Sequence, residues 1–307
     1  MSRSVVTAAI LAWLTLLGQP AQADSVIHKE KSLYRNIEVR EARDRRCLVF
    51  AMRRRDSRQS CINLDRPQEV VFPYTKMTFA ALLLQDNPTS ILIVGLGGGT
   101  LPKTLSQLFP SAVIDVVEID AAVYRVAQQF FKFKESDQVK VSIADARVFI
   151  KRAQIRKNSY DIIILDAFTG EYIPEHLMTE EFLEEVRSLL TSTGVVVANT
   201  FSSSKLYNYE SVTYRSVFGN FFNFKMPLTG NRVIISGPQP LPSRAILAGR
   251  AKRLANRLAP YYINIEDFPR YMATTRDWDE TVRPMTDQYA PANFMSLKAF
   301  SLAVDGT

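Results

Sequence analysis

The run Ile91-Leu92-Ile93-Val94-Gly95-Leu96-Gly97-Gly98-Gly99-Thr100-Leu101 decides the fold. Four consecutive apolar residues predict a strand buried on both faces. The glycines behind it let the backbone turn tightly and approach a ligand before a helix starts near residue 100. Strand, glycine turn and helix in that order make the nucleotide-binding corner of a doubly wound sheet. Thr100 stands where the dinucleotide fingerprint has its third glycine, which disfavours a nicotinamide dehydrogenase.

Downstream the pattern alternates. Further strands are predicted at Val113–Glu118, Val139–Ile143, Asp161–Leu165 and Gly194–Asn199, with helices at about 100–108, 120–131, 145–153 and 178–190. Phe221–Met226 and Arg232–Ser236, separated by Pro227 and Thr229-Gly230-Asn231, read as a hairpin that closes the sheet antiparallel. Upstream, Tyr74 to Leu84 has helical spacing. Residues 25 to about 72 read as short strands, one of them Leu33–Val39. The fold class is therefore α/β: a Rossmann-like, mostly parallel sheet with an antiparallel closing hairpin, preceded by a small N-terminal β unit. The expected domains are 24–73 for the β unit, 74–240 for the Rossmann-like catalytic domain, and 241–307 for one helix (Arg244 to Leu258) and a long irregular tail.

Residues 1–23 stand apart. Arg3, an apolar run of about 13 residues from Val5 to Leu17, and the small-x-small end Ala21-Gln22-Ala23 describe a secretory signal peptide. The run falls short of the roughly 20 residues that span a bilayer. Cleavage near Ala23, an exported protein and no stable membrane insertion afterwards are the expectations. Cys47 and Cys61 are the sole cysteines. A hairpin turning near Arg54 sets them opposite each other, at a distance that suits a disulfide. Export favours that bond as a staple, against two independent thiols. The arginines between and before them (Arg43, Arg45, Arg46, Arg53, Arg54, Arg55, Arg58) read first as a solvated hairpin tip. A formal charge of +7, dispersed along the chain, points weakly to anionic partners and bears mainly on solubility; no nucleic acid is expected as a partner.

The chemistry gathers at strand ends. The second strand finishes Val117-Glu118-Ile119-Asp120, the third Ile143-Ala144-Asp145-Ala146 and the fourth Leu165-Asp166-Ala167. An acid about 20 positions past the glycines can hold ribose hydroxyls. Glu118 fits better than Asp120, which sits where a helix cap belongs. Each acid alone could be a cap; together they call for a nucleoside in the crevice. The candidate ligand-binding set is Gly95, Gly97, Gly98, Gly99, Glu118, Asp120, Asp145 and Ala146.

On the stretches VVFPYTKM, ILIVGLGGGTLPKTL, VVEID, ADAR and YDIIILDAFTG, the chain resembles the spermidine synthase-like (polyamine) aminopropyltransferases, within the S-adenosylmethionine-dependent methyltransferase fold. The resemblance covers about residues 33 to 236. It implies that Glu118 binds the ribose, Asp145 the adenine amino group, that Asp166 is the catalytic aspartate, and that Tyr74 is the substrate-side tyrosine. It implies an aminopropyl transfer from decarboxylated S-adenosylmethionine to a small amine or polyamine. In that reaction a carboxylate that takes or positions the amine's proton has a clear task.

Two departures qualify the resemblance. The family places an aspartate in the glycine loop where this chain has Gly98, and reads Asp-Ser-Ser/Thr-Asp-Pro where this chain has Asp166-Ala167-Phe168-Thr169-Gly170. Thr169, Glu171, Asp287 and Tyr289 are the candidates for the amine side, Glu171 or Asp287 compensating for a missing acid. Alternatives are a methyltransferase using S-adenosylmethionine, and an exported, non-catalytic adenosyl- or polyamine-binding homologue. With two histidines and no Cys/His cluster, no metal is expected. His176 reads as a helix start, and Phe130, Phe131 and Phe133 as core. Tyr207, Tyr209 and Tyr214 are left between cleft rim and surface, and a homodimer is left open.

Overall fold

The structure, a computed structural model, describes residues 24–51, 57–167, 173–227 and 229–289. The proposed signal peptide, Arg53 to Arg55, Thr169 and Glu171 lie outside them.

Two sheets organise the chain. The first is antiparallel in chain order: β1 (Ser25–Lys31), β2 (Asn36–Ala42), β3 (Arg45–Ala51) and β4 (Ser57–Asn63). Leu33 to Arg35, taken as the start of a strand, form the connection between β1 and β2 instead. Leu33 is almost fully exposed there, so it has no face to bury. Cys47 and Cys61 are direct partners across β3 and β4 and are disulfide-bonded.

α1 (Pro73–Thr78) begins on Pro73, whose fixed φ suits a first helical turn, and runs into a 3₁₀ segment, Phe79–Leu83. The second sheet then alternates β5 (Ser90–Val94), α2 (Thr100–Leu108), β6 (Val113–Glu118), α3 (Ala121–Phe130), β7 (Val139–Ile143), α4 (Ala146–Ile155), β8 (Tyr160–Leu165), α5 (Glu180–Ser188) and β9 (Leu190–Phe201). It ends with α6 (Tyr207–Phe218), β10 (Phe222–Phe224), β11 (Asn231–Ser236), α7 (Arg244–Leu258) and β12 (Met272–Ala273). The order across the sheet is β12-β10-β11-β9-β8-β5-β6-β7. β9 through β7 pair in parallel, while β11, β10 and β12 are antiparallel. The order reverses at β5, between β6 and β8, and that is where an open α/β sheet binds its ligand.

Both faces of this sheet are covered. Ile91 and Ile93 point into one core with Ile162, Ile164, Val195 and Val197, against Leu247, Ala251 and Leu254 of α7. Leu92 and Val94 point into the other, with Ile163, Val196, Phe182 and Val186 of α5 and Val217 of α6. The unbroken apolar runs are the result of that two-sided burial. α6 had no counterpart in the sequence reading, and the tail supplies β12 as an edge strand. The first sheet lies on α3: Ile37, Val39, Leu48 and Phe50 pack on Ala122, Val123, Val126 and Phe131.

Candidate active site

A cavity of about 270 Å³ opens at the carboxyl ends of β5, β6, β7 and β8, with residues of the first sheet as its roof. That volume lies near the small end of small-ligand sites. Gly95, Gly97, Glu118, Asp145, Ala146, Asp166 and Tyr74 all line it. Gly95 brings two strands together. A Cβ there would lie 2.3 Å from the Asp166 carbonyl oxygen, and its φ of +105° is unfavourable for any side chain. Only glycine lets the loop sit against the backbone of Asp166.

Glu118 is buried, and burial raises its carboxyl above the usual range despite two opposing hydrogen bonds. Its Oε2 accepts from the Leu96 N–H at 3.1 Å and its Oε1 from the Asp120 N–H at 3.0 Å. The acid that ends β6 thus also holds the glycine loop in place. Asp145 caps α4, accepting from the Val148 N–H at 3.1 Å, and its other oxygen lies 3.0 Å from His176 Nε2. Burial works against its charge, but these hydrogen bonds win and hold the carboxyl below its usual value.

Asp166 differs from both. Among the described residues its side-chain partner is the Asn199 amide, which donates to Oδ1 at 2.8 Å. Burial therefore dominates and pushes the carboxyl up to about 7. Tyr74 donates to the Gln59 carbonyl at 3.0 Å, and burial together with the nearby Asp166 carboxyl raises its phenol well above the ordinary value. Three carboxyl groups against Arg35 and His176 give the described cavity wall an acidic balance that suits a cationic sulfonium ligand.

Several sequence candidates fall outside the cavity. Asp120 is buried and committed to structure: it accepts from the Ala122 N–H at 2.9 Å, capping α3, and from Ser32 Oγ at 2.6 Å, with Arg35 Nε 3.7 Å away. Gly98 faces the first sheet, where a Cβ would lie 2.8 Å from Ser60 Oγ and 3.0 Å from the Phe131 ring. Gly99 packs on Phe133 at the start of α2. Asp287 was a candidate to hold an amine, but Arg147 takes both its oxygens at 2.6 and 2.7 Å and Thr179 donates to it at 2.8 Å. Arg147 also grips Glu185, so Asp287 is part of an ion-pair cluster away from the cavity. Tyr289 stacks under Arg283, 4.6 Å from guanidinium to ring centre, and is likewise absent from the wall. Tyr214 is buried in the core beside α5.

The structure adds residues that sequence reading missed. His176 joins the wall from a short 3₁₀ turn, Phe50, Gln59 and Ser60 reach in from the first sheet, and Arg35 from the connection between β1 and β2. Asn199 closes the strand expected from sequence at Gly194–Asn199, so the strand-end rule that found the acids also applied to it, although β9 continues to Phe201. Among the described residues no group of three or more His, Cys, Asp or Glu could hold a metal ion.

The family model for the spermine/spermidine synthase domain matches residues 72–229. A polyamine aminopropyltransferase of Vibrio vulnificus (strain CMCP6) is 51% identical over 274 residues, which is 88% of this chain and 91% of the relative. This chain belongs to the spermine/spermidine synthase family. Among solved structures, a probable spermidine synthase from Corynebacterium glutamicum superposes with a TM-score of 0.61 at 22% identity, covering 84% of this chain and 99% of that one. Human methyltransferase-like protein 13, in complex with SAH, gives 0.56 at 27% identity, covering 68% and 96%. The family's fold is therefore a Rossmann-like methyltransferase fold, with the four-stranded antiparallel sheet placed before it.

Proposed function

We propose that this enzyme moves an aminopropyl group from decarboxylated S-adenosylmethionine to a small amine or polyamine, outside the cytoplasm. The observation that carries the reading is Asp166: a carboxyl at the switch point, across from a ribose-type acid, with a proton affinity near neutrality. Glu118 would hold the ribose and Asp145 the adenine amino group, which leaves the sulfonium side of the donor toward Asp166 and Tyr74. The amine nitrogen attacks the carbon beside the sulfonium; the new C–N bond forms as the C–S bond breaks, methylthioadenosine leaves, and Asp166 accepts the proton the amine sheds. A carboxyl near pH 7 is matched to that task, since it can take the proton and return it to water. Export is supported by the signal-like residues 1–23 and by the disulfide, a bond favoured in oxidising compartments.

A methyltransferase using S-adenosylmethionine is the second reading. It is favoured by the likeness to human methyltransferase-like protein 13, whose structure is in complex with SAH. Calorimetry on protein lacking residues 1–23 separates the two. Tighter binding of the decarboxylated donor, with a mass gain of one aminopropyl unit on 1,4-diaminobutane or spermidine, supports the first. Preference for S-adenosylmethionine supports the second, and no binding of either donor or of methylthioadenosine removes both.

A further inference from the structure

One chain of polar groups, buried at Asn199 and half-buried at Asn231, touches Asp166 from outside the cavity. Asn199 on β9 and Asn231 at the start of β11 lie on the same face of adjacent antiparallel strands, where Val233 is the direct partner of Asn199 and Asn231 that of Phe201. Diagonal neighbours of this kind are within reach of amide side chains. Asn231 Nδ2 donates to Asn199 Oδ1 at 2.9 Å, and Asn199 Nδ2 donates to Asp166 Oδ1 at 2.8 Å. Behind Asn231, Thr229 Oγ1 lies 3.3 Å from Asn231 Oδ1 and accepts from the Asn231 backbone N–H at 3.1 Å.

The chain has one sense. Asn199 is buried, and each end of its amide has one partner of the right kind. If its amide rotated by half a turn, its oxygen would face the Asp166 carboxylate and its NH₂ the NH₂ of Asn231. Asn231 forbids that flip by occupying the oxygen. We propose that Asn231, acting through Asn199, is a positioning residue that fixes the Asp166 carboxylate for proton transfer. This rests on the reading of Asp166 given above. Among the described residues the other ionisable groups facing Asp166 are Tyr74 from α1 and, around the cavity, Arg35, Glu118, Asp145 and His176. Among the described side chains, Asn199 is the hydrogen-bond partner that favours the ionised carboxylate.

The test uses Asn231→Ala and Asn231→Leu, which remove the donor with and without loss of bulk, on a half-buried site where folding is checked by thermal melting. Transfer from decarboxylated S-adenosylmethionine to 1,4-diaminobutane is followed against pH. Losing the donor lets Asn199 turn its oxygen to the carboxylate, which disfavours ionisation, so the acid limb of kcat/KM moves to higher pH by about half a unit or more. kcat falls about tenfold near neutrality, while methylthioadenosine affinity stays within twofold. Variants with the wild-type kcat and limb overturn the proposal. So do variants in which kcat, methylthioadenosine affinity and melting temperature fall together with no shift of the limb, because that pattern is merely structural. A wild type that transfers nothing overturns the activity reading itself, and is told apart by the wild type alone.

Discussion

Asp120 and Asp145 occupy the same place in two successive strand–helix units, and the fold uses them differently. Each follows a parallel strand, each caps the next helix through a backbone N–H, and each has one oxygen to spare. The spare oxygen of Asp120 turns toward the first sheet and accepts from Ser32. That of Asp145 turns toward the cavity and meets His176. Asp166 follows the next strand, β8, directly, and among the described residues Asn199 is the donor that offsets its burial. Asp145, held by the Val148 N–H and His176, stays below the usual carboxyl value, while Asp166, with Asn199 as its donor among the described residues, keeps a proton affinity that chemistry can use.

The largest effect is expected at Asp166. Asp166→Asn should lower kcat by about 10²–10⁴-fold, the usual range for a lost acid–base group, with methylthioadenosine still bound within a few-fold. In the wild type the rate should climb as pH rises through about 7, because only the ionised carboxylate can take a proton. Stability runs the other way. A carboxyl whose folded value is raised stabilises the fold while protonated, and that contribution disappears as pH rises through about 7. Asp166→Asn should therefore melt higher than wild type at pH 8 and no higher near pH 4. Equal rates for Asp166→Asn and wild type would end the assignment of chemistry to this residue.

Asp145→Ala and Asp120→Ala come next and test the comparison directly. Both should cost about 1–2 kcal/mol of stability through the lost cap. Asp145→Ala should in addition weaken methylthioadenosine about tenfold in calorimetry, the scale of one hydrogen bond to a charged group. Asp120→Ala should leave that affinity within twofold and instead loosen the first sheet, seen as faster amide exchange in β2 and β3. If the two variants bind methylthioadenosine equally well, the spare oxygens do not carry the distinction.

Sequence alone went far with the sheet and less far with this distinction. The run at Ile91–Val94 is legible because two-sided burial demands unbroken apolar residues, whereas the edge strand Val139–Ile143, with Lys140 exposed, is read from its β-branched residues and its place in the strand–helix alternation. α6 was not, since Tyr207–Phe218 mixes aromatic, polar and charged residues without a clear apolar stripe and hides Arg232 and Glu210 in a buried ion pair at 2.8 Å. Glu118 was favoured over Asp120 on position, but nothing in VVEID says that Ser32 and Arg35, far upstream, will reach back to Asp120. Nor could the residues around Asp287 reveal that Arg147 would pair with it. Those outcomes depend on how the first sheet and the tail dock, and they leave no local pattern.

The smallest effect should come from the partner that marks Asp145 as a cavity residue. His176 is nearly half exposed, and its hydrogen bond to Asp145 is screened by water. His176→Ala should change methylthioadenosine affinity by roughly twofold, or about 0.4 kcal/mol, on the scale of an exposed ion pair. Its pH signature is more telling than its size. Because the folded value of Asp145 lies below the ordinary one, its stabilising contribution is present above about pH 4 and is lost as pH falls through the lowered value. Without His176 that value moves up toward the ordinary one, so the variant should begin to unfold at slightly higher pH on acid titration, by a few tenths of a unit. The Val148 N–H remains in place, so the shift cannot be large. An acid midpoint moving by a full unit would mean that His176, not the helix cap, holds the Asp145 carboxylate, and the parallel between Asp145 and Asp120 would then be one of position alone.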